Sequence, residues 1–108
     1  MYEYKAKLIR VIDADTIEML VDLGFDVHTL IDVRLLNVWA PERHTMNGLL
    51  LAAELSYFLD NCGYFDDDML IIQTEYDKTF DRYLAHVYLD EVYLNGIIDM
   101  MIAERLDL

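Results

Sequence analysis

Three short stretches of the chain hold residue types that could handle a phosphate. Asp13-Ala14-Asp15-Thr16 sets two carboxylates one residue apart at a turn. RLLNVWAPE, from Arg34 to Glu42, places an arginine at the end of an apolar run and an acid after Pro41. DKTFDR, from Asp77 to Arg82, ends on a second arginine. Guanidinium forks match phosphate oxygens in pairs, and carboxylates with carbonyls suit a hard divalent cation. Each stretch also has an ordinary reading. Asp13 and Asp15 are turn formers, Arg34 is a solvated strand-end charge, and Arg82 beside Asp81 is a surface ion pair. Trp39, a large aromatic between two charged ends, fits phosphate chemistry poorly.

Composition limits what can surround these stretches. A chain of 108 residues makes one domain, 1–108, with one core. There are 21 acids against 8 bases, a formal net charge of −13, which repels polyanions. Setting aside Asp13, Asp15 and Glu42 still leaves 18 acids against the 8 bases, so nucleic-acid affinity would need a local cluster of the few available cations. Cys62 is the only cysteine, which excludes an intrachain disulfide, and it reads as a small buried hydrophobe near a helix end. His28, His44 and His86 lack the spacing of zinc ligands. The first residues do not resemble a signal peptide, and LLLAAELSYFL is too short and polar to span a bilayer. The expectation is a soluble cytoplasmic protein without a membrane partner.

The elements that must position these residues follow from periodicity. Tyr4–Ile12 and the alternating Ile17, Met19 and Val21 read as two strands around the Asp13–Asp15 turn. In a third strand Val27, Thr29, Ile31, Val33 and Leu35 share one face, and His28, Asp32 and Arg34 the other, so Arg34 points away from the apolar filling. Leu51, Leu55, Phe58 and Cys62 mark one side of a helix that Gly63 ends. Met69–Glu75 and Leu84–Tyr93 read as two further strands, and Asn95 as the N-cap of a last helix to about Arg105. Five short strands, one helix between the third and fourth and one after the fifth, predict a mainly β OB-fold, a five-stranded Greek-key barrel.

With DADT, the Arg34–Glu42 stretch, DKTFDR and this order of elements, the chain from about Tyr4 to about Ala103 resembles the staphylococcal nuclease (thermonuclease) family. It is most similar to short members in which a D-L-G-F segment, here Asp22–Phe25, precedes the third strand. The resemblance implies a calcium-dependent phosphodiesterase acting on nucleic acid, expected to prefer single-stranded or unpaired DNA or RNA. It implies Asp15 as a direct metal ligand, Asp13 in the outer shell and the backbone carbonyl of Ala40 as a further ligand. It gives Glu42 the task of orienting or deprotonating water, and Arg34 and Arg82 that of holding phosphate and its developing charge. Phe80, Tyr83 and Lys78 would then supply the substrate-binding surface.

The sequence departs from the family at Trp39, where well-studied members carry a second calcium-binding aspartate. Indole offers no acceptor, so an anionic ligand is lost and calcium binding is expected to weaken. Mg2+ or Mn2+, held mainly by water, could take its place. Ala14 stands where a glycine is usual and restricts the turn if that residue needs positive φ. Two other readings follow from these departures and from the acidity. One is a catalytically degraded OB-fold interaction module; the other is an acidic mimic of nucleic acid that binds a basic protein. The apolar residues of the last helix, Ile98, Met101 and Ile102 flanked by Ile97 and Met100, predict a homodimer through it.

Overall fold

The computed structural model describes residues 2–41, 45–66 and 70–105. Strands β1 (Tyr2–Asp13), β2 (Thr16–Asp22) and β3 (His28–Leu35) come first, then helix α1 (Met46–Asn61) and a 3-10 turn (Tyr64–Asp66). Strands β4 (Leu70–Asp77), β5 (Arg82–Leu89) and β6 (Val92–Tyr93) follow, and helix α2 (Leu94–Arg105) comes last. The sheet order is β3-β2-β1-β4-β5-β6, and a further pairing of β3 with β5 closes five strands into a barrel. That closing pair is parallel, with Val33 opposite Tyr83, Arg34 opposite Leu84 and Leu35 opposite Ala85. All other pairings are antiparallel. The expected OB-like barrel is the observed fold, with one helix after β3 and the other after the short β6 that pairs with β5.

Strand β1 is long because it serves both halves of the barrel. Its residues Tyr2–Ala6 pair with β4 and Lys5–Asp13 with β2, and irregularities near Ile9 and Ile12 bend it within the β2-paired part. Inward positions carry the alternating apolar residues: Leu8, Ile17, Met19, Val33, Leu35, Leu70, Ile72, Ala85 and Val87 are all at or near zero exposure. Helix α1 packs on β1, and α2 on β5. Thr45 caps α1 by accepting from Gly48 N at 3.0 Å, and Gly63, at φ +80°, follows the helix end in the left-handed region that glycine adopts without cost.

Four local expectations are corrected. Cys62 is exposed, not buried, because it caps α1 and the buried stripe ends at Leu59. The expected strand Leu84–Tyr93 is a hairpin: Asp90, at φ +54°, turns the chain between β5 and β6. Val27 lies outside β3 and is exposed. Asn95 does not cap α2; the helix starts one residue earlier and the Asn95 side chain is fully buried. Its amide accepts from Val87 N at 2.9 Å and donates to Ala85 O at 2.9 Å and Leu36 O at 2.8 Å. One side chain thus ties α2 to β5 and to the turn that leaves β3.

On α2, Leu94, Ile98 and Ile102 are buried within the chain's own core, and Met101 packs partly against it. Met100 remains exposed. Among the described residues, no helix is long and apolar enough to cross a membrane.

Candidate active site

The β1–β2 hairpin and the end of β3 meet at one rim of the barrel. Asp13 closes β1, its Cα paired with Thr16, and Leu35 N donates to Asp15 O at 2.8 Å. These backbone bonds hold Asp15 against β3. Its carboxylate lies 3.5 Å from Arg34 Nη2, with side-chain exposures of 14% and 23%, and its Oδ1 accepts from the Thr16 hydroxyl at 3.1 Å. Arg34 Nη1 also donates to Leu35 O at 3.0 Å, which fixes the plane of the guanidinium. Partial burial of both partners raises the strength of this pair above that of a solvated one.

Arg34 points outward, as the alternation of β3 requires. Since Arg34 is opposite Leu84 on β5, Arg82, two residues earlier on that strand, lies on the same outer face. Diagonal neighbours of this kind are about 7–8 Å apart at the backbone, within reach of two long side chains converging on one anion. Arg82 has its own acid: its Nε is 3.5 Å from Asp77 Oδ2, across the β4–β5 pair. This is an ion pair without hydrogen-bond geometry, for the Nε has no bonded partner. The guanidinium also lies 4.8 Å over the Phe80 ring, a cation–π contact.

The structure therefore brings Asp13, Asp15 and Arg34 to one rim, with Arg82 on the adjoining strand. Glu42 lies outside the described residues. Lys78 and Phe80 are exposed on the β4–β5 loop beside Arg82. Tyr83 lies on the opposite face from Arg82, turned toward the barrel interior, its ring tilted against that of Tyr76 with centroids 5.0 Å apart. Adjacent strand residues alternate, so Tyr83 and Arg82 cannot share a surface. Asp77 and Asn95 are the participants that the sequence did not single out. Asp77 could have been found as the residue opposite Arg82 across the short β4–β5 loop; the triple bonding of Asn95 had no sequence signal.

Around the turn after β3, Val38 and Ala40 are buried while Trp39 between them is 65% exposed. Trp39 is thereby not part of the core. Ala14 is fully buried and is not among the positive-φ residues, so alanine in place of glycine imposes no strain there.

The donor set can be tested against a divalent cation. Asp13 Oδ1 is buried without a hydrogen-bond partner, a free oxygen beside Asp15 in the hairpin. Among the described residues, no three His, Cys, Asp or Glu side chains gather into a metal-holding group. One direct carboxylate with a second behind it fits a cation that keeps most of its water, which is the habit of Mg2+ and Mn2+ more than of Ca2+. Compared with known proteins, the chain matches no family model and no curated protein.

Proposed function

We propose that this barrel is a thermonuclease-type phosphodiesterase acting on single-stranded or unpaired nucleic acid, its metal centre weakened at Trp39. One observation carries the reading: Asp15 and Arg34 are joined at the barrel rim, and Arg82 lies on the same outer face of the adjoining strand. Two forks with a carboxylate between the hairpin and β3 are what a phosphodiester needs for binding and charge neutralisation. Arg34, held by Leu35 O, presents its remaining N–H groups to one phosphate oxygen pair. Arg82, stacked on Phe80, approaches from β5 and meets charge as it builds on the phosphoryl oxygens.

Asp15, with the Ala40 carbonyl and Asp13 behind, would hold the metal, which when bound polarises the phosphoryl group. Glu42 would take the proton from the attacking water, as the family resemblance implies. Both arginines carry a carboxylate partner in the structure, so a phosphate must displace or share Asp15 and Asp77. That competition and the charge of −13 keep binding weak.

The same pairing favours a second reading, a binding module in which Asp15–Arg34 and Asp77–Arg82 are only structural. Hydrolysis of a fluorophore-labelled oligonucleotide, with Ca2+, Mg2+ or Mn2+ in turn, separates the two. Activity that is lost in Arg34→Ala and in Asp15→Asn supports the enzyme. Oligonucleotide binding with no hydrolysis under any of the three metals supports the module.

A further inference from the structure

Tyr83 faces away from the arginines, and on its side of the strands lies a separate aromatic surface. Along the middle of the barrel the inward positions are aliphatic. At the end where β1 and β5 begin and β2 and β4 finish, they are held by Tyr2, Tyr4, Tyr76 and Tyr83. With Ile31 and Leu23 these rings line an open cavity of about 560 Å³. Tyr2 and Tyr4 stack at 6.5 Å with planes 28° apart, and Tyr76 and Tyr83 meet at 5.0 Å with planes 59° apart. The Tyr76 hydroxyl is anchored on the Asp81 carboxylate, which fixes that ring at the β4–β5 loop.

The lining decides the class of ligand. Its described residues include no Lys or Arg, and Glu75 stands at the border, so a phosphate is disfavoured inside. Flat, uncharged rings gain most from tyrosine faces, and barrel mouths are a common place for such ligands. Connectivity decides the source. Tyr83 directly follows Arg82 and is opposite Val33, the residue before Arg34. The mouth thus opens one residue from Arg82, on the other side of the same strand, and its β3 lining, Thr29 and Ile31, ends three residues before Arg34.

We propose that the barrel mouth is a nucleobase pocket. A strand whose phosphate lies at Arg34 and Arg82 turns over the barrel edge near Phe80 and lays one base against Tyr76 and Tyr83. This rests on the phosphodiesterase reading for where the phosphate lies. A base inside the mouth has left its partner, so the pocket selects single-stranded or unpaired substrate, and stacking accepts any base.

An NMR titration of the whole chain with thymidine or adenosine, which carry no phosphate, tests the pocket apart from the arginines. Saturable shifts of the Tyr2, Tyr4, Tyr76 and Tyr83 ring signals are expected, and they should persist in Arg34→Ala. The double variant Tyr2→Leu, Tyr83→Leu should bind a short single-stranded oligonucleotide about 5- to 150-fold more weakly, the span for losing one stacked base. If that variant does not fold, the nucleoside titration of the parent chain decides. Nucleoside shifts confined to other residues, or none up to tens of millimolar, overturn the proposal. Arginine-dependent hydrolysis without nucleoside at the mouth sinks the pocket alone. Nucleoside at the mouth without hydrolysis under any metal sinks the phosphodiesterase reading, and the mouth stands as a base-binding site.

Discussion

Asp15 and Arg34 meet at 3.5 Å where the β1–β2 hairpin touches the end of β3, and both side chains are largely shielded. The contact crosses a register pair, for Arg34 is opposite Thr16, whose hydroxyl donates to Asp15 in turn. The hairpin and the strand end therefore hold one carboxylate and one guanidinium in fixed relation. Arg34→Lys keeps the charge but replaces the fork by a single ammonium. Phosphodiesterase turnover is expected to fall about 10²- to 10³-fold, the scale for losing one well-placed donor. Unfolding free energy should change by only about 1 kcal/mol, because the ion pair is long and the lysine stem can fill the same channel. Oligonucleotide hydrolysis and urea denaturation, run on the same preparation, check both halves. Equal hydrolysis by parent and variant would remove Arg34 from the site.

Asn95 holds the other side of the rim. It satisfies Val87 N–H and the carbonyls of Ala85 and Leu36 from a fully buried position. Asn95→Ala removes the partner of Val87 N–H and of Leu36 O, while Ala85 O keeps its bond from Leu36 N at 3.0 Å, and the two losses together cost about 2–4 kcal/mol. Asn95→Asp should be no better, since a carboxylate can accept from Val87 but cannot donate to two carbonyls, and it brings a charge into the core. Against total stabilities of about 5–15 kcal/mol, either change is large. The urea midpoint reads it directly, and a shift smaller than that of an exposed control such as Asp99→Asn would refute the role.

The contrast between these two residues shows what was legible in the sequence. Strand alternation set Arg34 on the outer face, because period-two patterning carries side-chain direction with it. Gly63 ended α1, since a left-handed residue after a helix strongly favours glycine. Asn95 was misread because its local signal, a capping residue before an apolar run, is real but was outcompeted by three tertiary hydrogen bonds. That Tyr83 and Arg82, expected on one substrate-facing side of the fold, stand on opposite faces of β5 follows from the same period-two alternation. Trp39 had no local signal of burial or exposure. Its exposure follows from Val38 and Ala40 on either side taking the inward positions.

The last helix bears on self-association. The barrel takes Leu94, Ile98 and Ile102, and Met100 stays 67% exposed. A homodimer through α2 is thus proposed to rest on Met100, with the partly buried Met101 beside it. Light scattering at micromolar concentration should then give a mass above the 12.7 kDa of one chain. Met100→Lys should return it toward that value, because a desolvated ammonium opposes apolar pairing. A mass of 12.7 kDa for the parent at every concentration would mean α2 is satisfied by its own barrel.

Trp39 offers the most direct test of the metal centre. At 65% exposure between buried Val38 and Ala40, its ring can be exchanged with little effect on the core, about 0.5 kcal/mol or less. Trp39→Asp adds an anionic oxygen next in sequence to the Ala40 carbonyl proposed as a ligand. Hard cations bind more tightly as the count of charged oxygen ligands rises, so calcium affinity should increase by about tenfold or more. Trp39→Asn supplies an oxygen without charge and should fall between the parent and Trp39→Asp. Calorimetric titration with Ca2+ and with Mg2+ measures the series, and Asp15→Asn in the Trp39→Asp background should abolish the gain if both oxygens face one ion. Hydrolysis should rise in the same order as calcium affinity. A series in which neither metal binds more tightly places residue 39 away from the cation and removes Trp39 from the account of the metal centre.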